Sequence, residues 1–277
     1  MGNEMKTTAF CFAASLLAAV TCVAAEGPFT LALQAYTFKD RTMVETIETA
    51  KRLGFKAIEL TPVQKLGGAF KGSVKHSDMA PETVTAVRAY LEGCGLKVLS
   101  YGVVNEPDEA GWRKEFEFVR ALGIGMLLTE PPPEQLPLID RLAQEYKIRV
   151  MIHNHAQKSP WWDPEFMAAK VAACSDCVGA GADIGHWPAA GVKPVAGIQK
   201  LMASRIFALH FVDVDRVSPE AHAVPYGTGV AQLREILDAL RAKGLSVQLT
   251  CEYEYQTDRL EQDVRECVAW FETYAKK

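Results

Sequence analysis

The sequence predicts an α/β fold, a single (β/α)₈ barrel. Three observations lead there. Short apolar, β-rich runs alternate with amphipathic helical runs eight times, as a parallel sheet with crossover helices requires. The length of 277 residues suits such a barrel, ~250 residues, once a leader is set aside. The turn after the first strand, Thr37 to Asp40, lacks the glycines of a phosphate loop, which argues against an open doubly wound sheet.

The N-terminus reads as a cleaved secretory signal. Met1 to Thr8 is polar and carries Lys6, with Met5 an alternative start. Ala9 to Val20 is apolar but too short to span a bilayer of ~30 Å. Val23 and Ala25 supply the small residues of a cleavage site. Residues 1–25 are thus expected to be a signal peptide and residues 26–277 the barrel, exported to the periplasm or beyond. Lipidation at Cys22 is disfavoured by Thr21 before it.

The first strand is Thr30 to Phe38, and its helix runs from Thr42 to Leu53, with Val44, Ile47, Ala50 and Leu53 on one face and Gly54 as the stop. Lys56 to Leu60 is the second strand, followed by a helix from Pro81 to Glu92. Strands three and four are Leu96 to Val104 and Gly125 to Thr129, with helices Glu109 to Leu122 and Glu134 to Tyr146. Strands five and six are Arg149 to Ile152 and Val178 to Ala182, with helices Pro164 to Ala173 and Val192 to Ala203. Strands seven and eight are Ile206 to Val212 and Ser246 to Cys251, with helices Val230 to Lys243 and Asp258 to Tyr274. No repeat, linker or later membrane-length apolar stretch interrupts this order.

Composition narrows the function. An apolar fraction of 49% fills a large core, and a net charge of −4 leaves no basic footprint for nucleic acid. Cys94, Cys174, Cys177, Cys251 and Cys267 remain after processing, an odd number. Cys174 and Cys177 form a lone CxxC, without the second pair a zinc site needs; they are a local disulfide or, preferably, free thiols.

Chemistry in such a barrel lies at the C-terminal ends of the strands. There the chain places Glu130 after strand four and His153-Asn154-His155 after strand five. Asp183 ends strand six, with His186 and Trp187 beyond; His210 and Asp213 fall on strand seven, with Arg216 following; and Glu252 ends strand eight, with Glu254 close behind. Four of the six histidines fall at these ends, while His76 and His222 sit in loops. Carboxylates and imidazoles crowded at one mouth are reconciled by one divalent cation, with a hydrogen-bonded polar plug as the alternative. Mixed nitrogen and oxygen donors suit Mn, Co, Zn or Fe, and Mg less well.

Asp183-Ile-Gly-His186, His210-Phe-Val-Asp213, Tyr226-Gly-Thr-Gly229 and the Glu252 strand end give a resemblance over the whole mature chain. The chain resembles the sugar phosphate isomerase/epimerase group of xylose isomerase-like TIM barrels, which includes ketose 3-epimerases and inosose dehydratases. The resemblance implies a metal held by Asp183, His210 and Glu252, and substrate oxygens held by His186 and Arg216. The group usually carries Glu at the end of strand five, whereas this chain has His153; either His153 takes that ligand position or Glu130 on strand four replaces the carboxylate.

The expected activity is proton removal next to a sugar carbonyl through a metal-stabilised enediolate, giving isomerisation or epimerisation. Glu252 or His153 is the expected base, with His186 beside them, and His155, His186, Arg216 and Trp187 are expected around the substrate. A leaving group β to the carbonyl would turn the same intermediate to elimination, making the enzyme a lyase or dehydratase. Export favours an oxidised free sugar or a glycoside over a phosphorylated one. A non-catalytic sugar-binding module, with Trp161 and Trp162 stacking on a ring, needs fewer titratable groups. A nuclease reading has only Glu220-Ala-His222 and the related apurinic-site endonucleases behind it, and the acidic balance opposes it. The expected partner is a small carbohydrate, with a homo-oligomer left open.

Overall fold

A computed structural model describes residues 28–274; the expected signal segment lies outside them. Eight parallel strands close into a barrel: β1 (Phe29–Gln34), β2 (Ala57–Leu60), β3 (Lys97–Val104), β4 (Met126–Thr129), β5 (Arg149–Ile152), β6 (Val178–Asp183), β7 (Ile206–His210) and β8 (Val247–Cys251). Each pairs with its neighbours in sequence, and β1 closes the ring on β8 from Phe29 opposite Val247 to Leu33 opposite Cys251. The helices are α1 (Met43–Leu53), α2 (Pro81–Gly93), α3 (Glu109–Ala121), α4 (Leu136–Tyr146), α5 (Pro164–Ala172), α6 (Pro194–Leu201), α7 (Leu233–Ala242) and α8 (Leu260–Tyr274). Among the described residues no helix is long and apolar enough to cross a membrane.

Helix α1 shows how local chemistry sets the boundaries. Thr42 and Glu45 form a reciprocal capping box, and Gly54 ends the helix at φ 98°, a conformation that costs other residues strain. The first strand is shorter than its apolar run. It stops at Gln34, and Ala35–Phe38 turns into a 3₁₀ helix capped by the Gln34 side chain. Strand seven likewise stops at His210. The residues beyond it feed a small hairpin in which Asp213 and Val214 pair with Val224 and Ala223. A second hairpin, Lys65–Gly67 with Phe70–Ser73, was not anticipated from the sequence.

Strand β6 is built only from small residues before its aspartate, and all six positions are buried. A Cβ at Gly181 would lie 2.6 Å from the Met151 Cβ, and one at Gly179 would lie 2.6 Å from the Phe207 ring. The strand is thin so that its neighbours can fill the barrel. Leu128, Met151 and Ala208 make an apolar cluster, and Glu59, Ser100 and Gln248 make a buried polar one.

Trp187 belongs to the core. It is 0% exposed and packs on α6, where a Cβ at Gly197 would stand 2.6 Å from its ring. Gly197→Val is therefore expected to destabilise the protein by about 2–3 kcal/mol through overpacking, read as a lower denaturant midpoint. An unchanged midpoint would mean that the ring has room to move. The five described cysteines are all free thiols, Cys174 and Cys177 included.

Candidate active site at the barrel mouth

Register sets the floor of the site. Asp183, the last residue of β6, is level with His210, the last of β7, and His210 is level with Thr250 of β8. His153 and Glu252 are the first residues beyond β5 and β8. Parallel barrel strands deliver their C-terminal side chains to one face, so four residues distant in sequence meet there, none more than 8% exposed.

His210 stands at the centre. Its Nδ1 is 2.6 Å from Oε2 of Glu252 and 3.6 Å from Oδ2 of Asp183. Its Nε2 is 2.7 Å from Oε1 of Glu59 on β2. Glu59 escaped the sequence reading because it lies one residue inside its strand; the available signal was a lone carboxylate within Ala57-Ile-Glu-Leu60. It is 0% exposed and collects donors from four other strands: Gln34 at 2.6 Å, His210, Gln248 at 3.3 Å and the Ser100 hydroxyl. A buried carboxylate is tolerable only when it is so paired.

Asp183 divides its two oxygens. Oδ1 accepts the backbone N–H groups of Gly185 at 2.6 Å and His186 at 3.2 Å. Oδ2 is left facing Nε2 of His186 at 3.7 Å and Nδ1 of His210. The backbone of Asp183 is clamped by Asn154, whose Oδ1 accepts from its N–H and whose Nδ2 donates to its C=O, both at 3.0 Å.

The electrostatics sort these groups. Burial pushes the Asp183 carboxyl up, but His186, His210 and His153 outweigh it and hold it well below the usual carboxylate range. Burial works against a charged His210, yet Glu252, Glu59 and Asp183 raise its imidazole well above the ordinary value. Burial, reinforced by His210, drives His153 the other way and keeps it neutral. Its Nδ1 has no hydrogen-bond partner, an expensive condition for a buried nitrogen.

These residues fit a divalent cation. His153, Asp183 and His210 each offer a ligand atom, all within 4.8 Å of one another, and Glu252 adds a second carboxylate beside His210. Such a nitrogen and oxygen set suits a first-row transition ion. A second triple, His153, His155 and His186, meets the same spacing one layer up, where the His155 and His186 rings lie 4.7 Å apart.

Glu130 is in neither triple. It accepts the backbone N–H of His155 at 3.0 Å and bonds its ring Nδ1. Burial pushes the Glu130 carboxyl up, but His155 and Ser159 bring it below the usual range, while Glu130 raises the His155 imidazole. Both Glu130 oxygens are thus engaged by His155 rather than by the buried triple.

Two adjoining cavities, about 390 and 190 Å³, share His186, Glu252 and Glu254. Burial and the neighbouring Glu252 push the Glu254 carboxyl up. The Asp213–Val214 hairpin walls the larger cavity with His222, whose ring lies 4.2 Å from that of Tyr255 at a tilt of 32°; neither was anticipated at the site. Three residues expected around a sugar lie away from these cavities. Trp187 is sealed in the core and cannot meet a substrate. Trp161 is also 0% exposed, its Nε1 donating to the Pro131 C=O at 2.7 Å. Arg216 lines neither cavity; its guanidinium is exposed and paired with Asp215 at 2.5 Å, because the early end of β7 carries it out onto the hairpin. Asp213 instead orders the Tyr226–Gly229 loop, its carboxylate accepting the N–H groups of Gly227, Gly229 and Ala231 at 2.8–3.0 Å.

A family model described as xylose isomerase-like TIM barrel matches residues 47–274. An uncharacterised protein from Parabacteroides distasonis has a similar structure, 26% identical with a TM-score of 0.71, over 89% of this chain and 99% of that one. A D-tagatose 3-epimerase-like protein matches at 15% identity and a TM-score of 0.69, over 88% and 96% of the two chains. A probable 3-DHS dehydratase, AsbF, from Bacillus anthracis matches at 13% identity and a TM-score of 0.68, over 88% and 98%. No curated protein matches the chain.

Proposed function

The chain belongs to the xylose isomerase-like TIM barrel family, and from that premise we propose that it is a divalent-metal-dependent sugar isomerase or epimerase, removing a proton next to a sugar carbonyl. The observation that carries this reading is the convergence of His153, Asp183, His210 and Glu252 beneath two adjoining cavities, with Asp183 lining the larger, His153 the smaller and Glu252 both. These four would hold the cation, which when bound supplies Lewis-acid stabilisation of negative charge on substrate oxygens.

The chain's own residues divide the remaining work. Glu252 lines both cavities and takes the proton from the carbon beside the carbonyl. His155 stands above with Glu130 behind it, a carboxylate–imidazole pair that can return a proton to the intermediate from a second direction. Its imidazole is held above the ordinary value by Glu130, as a proton donor needs. His186, with Nε2 beside Asp183, lines both cavities and orients substrate hydroxyls.

Neither cavity is lined by Lys or Arg among the described residues. A phosphate is ordinarily met by such cations, so this wall supports an uncharged sugar or glycoside. A second reading, β-elimination, is supported by the structural likeness to a probable dehydratase. In it the same base removes the proton, the electron pair forms the C=C bond, and the β C–O bond breaks to release the oxygen group. Incubation with a panel of ketoses and keto-glycosides in D₂O, followed by NMR, tests both. Deuterium at the carbon beside the carbonyl supports proton removal, an altered stereocentre identifies epimerisation, and a new alkene signal identifies elimination. No exchange with any member, in protein shown to be metal-loaded, would refute the proposal.

Glu59 sets the ring of His210, and carboxylates behind metal-ligating histidines typically govern ~10–100-fold of metal affinity. Glu59→Gln is expected to weaken metal binding by about that factor, measured by equilibrium dialysis. Unchanged affinity would limit Glu59 to packing.

A further inference from the structure

Outside the mouth, a second cluster of ligand-type side chains joins three separate segments. His76 lies in the 3₁₀ turn His76–Asp78, Glu106 in the loop between β3 and α3, and Glu115 on α3 itself. None of the three lines either mouth cavity. The Nε2 of His76 is 3.2 Å from Oε1 of Glu106 and 3.7 Å from Oε2 of Glu115. One ligand atom from each lies within 4.8 Å of the others.

Two further observations show a built site. The Glu115 side chain is 3% exposed, and its Oε1 is buried with no hydrogen-bond partner at all. Across the cluster, Oε2 of Glu106 lies over Gly111, where a Cβ would approach within 2.3 Å. The chain thus omits a side chain where Glu106 turns inward. One imidazole Nε2 cannot satisfy both carboxylates at once. Without a cation Glu115 tends to keep its proton: burial, then the nearby Glu106, push its carboxyl up to about 8.

We propose that His76, Glu106 and Glu115 form a second divalent-cation site on the flank of the barrel, pinning the turn before α2 to α3. One nitrogen and two carboxylate donors suit zinc or manganese, with water completing the shell on the exposed side. The cation takes the place of the Glu115 proton, neutralises the two carboxylates and gives the buried Glu115 side chain, which makes no hydrogen bond on Oε1, a charged partner. The site is independent of the function proposed for the mouth, and a substrate has no part in it.

Zinc itself is the probe. The full chain, stripped with chelator and dialysed against Zn²⁺, is expected to bind two equivalents by elemental analysis. Asp183→Ala/His210→Ala, which empties the mouth, should retain one. Adding Glu115→Gln to that variant should reduce it to none and abolish the rise in melting temperature that zinc gives. Glu115→Gln preserves shape and matches the neutral acid, so its fold should survive, as circular dichroism would verify. His76→Gln, at a less buried position, is the companion variant and should weaken zinc at least tenfold. A mouth that binds no metal would leave the wild type at one equivalent, kept in Asp183→Ala/His210→Ala and lost with Glu115→Gln, which still supports the flank site. Zero zinc in Asp183→Ala/His210→Ala, or loading indifferent to both Glu115→Gln and His76→Gln, overturns it: Glu115 is then simply a buried, protonated acid.

Discussion

Asp183→Ala protein, grown with added divalent metal, is expected to leave purification with its mouth site empty and to exchange the substrate proton about 10³-fold more slowly. The magnitude follows from several kcal/mol of charge stabilisation, at ~1.4 kcal/mol per tenfold in rate. Asp183 contributes the oxygen that faces both His186 and His210, so its loss leaves two imidazoles without their common anion. The fold should survive, since the clamp from Asn154 grips backbone atoms that alanine retains. What alanine does lose is the acceptor for the Gly185 and His186 N–H groups, a cost of about 1–3 kcal/mol. Asp183→Asn separates the two effects: its amide oxygen can still accept those bonds while the charge is gone. Elemental analysis and exchange are measured on both, with the flank cluster blocked by Glu115→Gln so that only the mouth is counted. Full mouth occupancy in both variants would dismiss Asp183 as a ligand.

Glu252→Gln is expected to lower exchange of the substrate proton by about 10²–10⁴-fold, the usual worth of a positioned base. The amide matches the carboxylate in shape, and its oxygen can still accept from Nδ1 of His210, so the floor should stay assembled. An amide does not take up a proton at any useful pH. Metal content is measured alongside, because a weaker ligand set would lower the rate for a different reason. If the metal-loaded variant exchanges as fast as the wild type, the base lies elsewhere, and the His155–Glu130 pair is the next group to examine. His155→Gln should then retain metal, since His155 is not in the buried triple, and lose the second proton transfer.

The barrel was legible in the sequence because its signals are local and repeated. Apolar runs of strand length, helices stopped by Gly54, Gly93 and Gly244, and polar residues at strand ends need no long-range knowledge. Of the main floor residues, His153, Asp183 and Glu252 were visible because each falls where an apolar run stops, and His210 because it is the one polar residue within Ile206 to Val212. What escaped depends on how strands end and on what lies behind them. Strand seven stops at His210 rather than Val212, and that shift carries Arg216 onto the hairpin and brings His222 to the wall. Trp187 follows Asp183 and His186 closely, but the turn after β6 sends its ring back toward Gly197. Glu59 sits within an apolar strand, where a lone carboxylate gives no hint that four other strands will aim donors at it. The flank cluster unites residues 76, 106 and 115, whose meeting depends on how α3 packs beside the turn before α2.

The clamp made by Asn154 also bears on how the protein ages. Asparagines are among the thermolabile residues of proteins. They lose their amide when the next residue's backbone nitrogen attacks the side-chain carbonyl to close a succinimide ring. At Asn154 both reactants are already engaged. The side chain is held at both ends by the backbone of Asp183, and the attacking nitrogen, that of His155, donates its N–H to Glu130. Ring closure would have to break all three hydrogen bonds and swing the amide out of a fully buried position. Were an aspartate ever formed there, its carboxylate oxygen would replace the donor that faces the Asp183 carbonyl, and the floor of the site would be pushed apart. The contacts that place Asp183 for chemistry thereby also shield the site from chemical decay during long exposure.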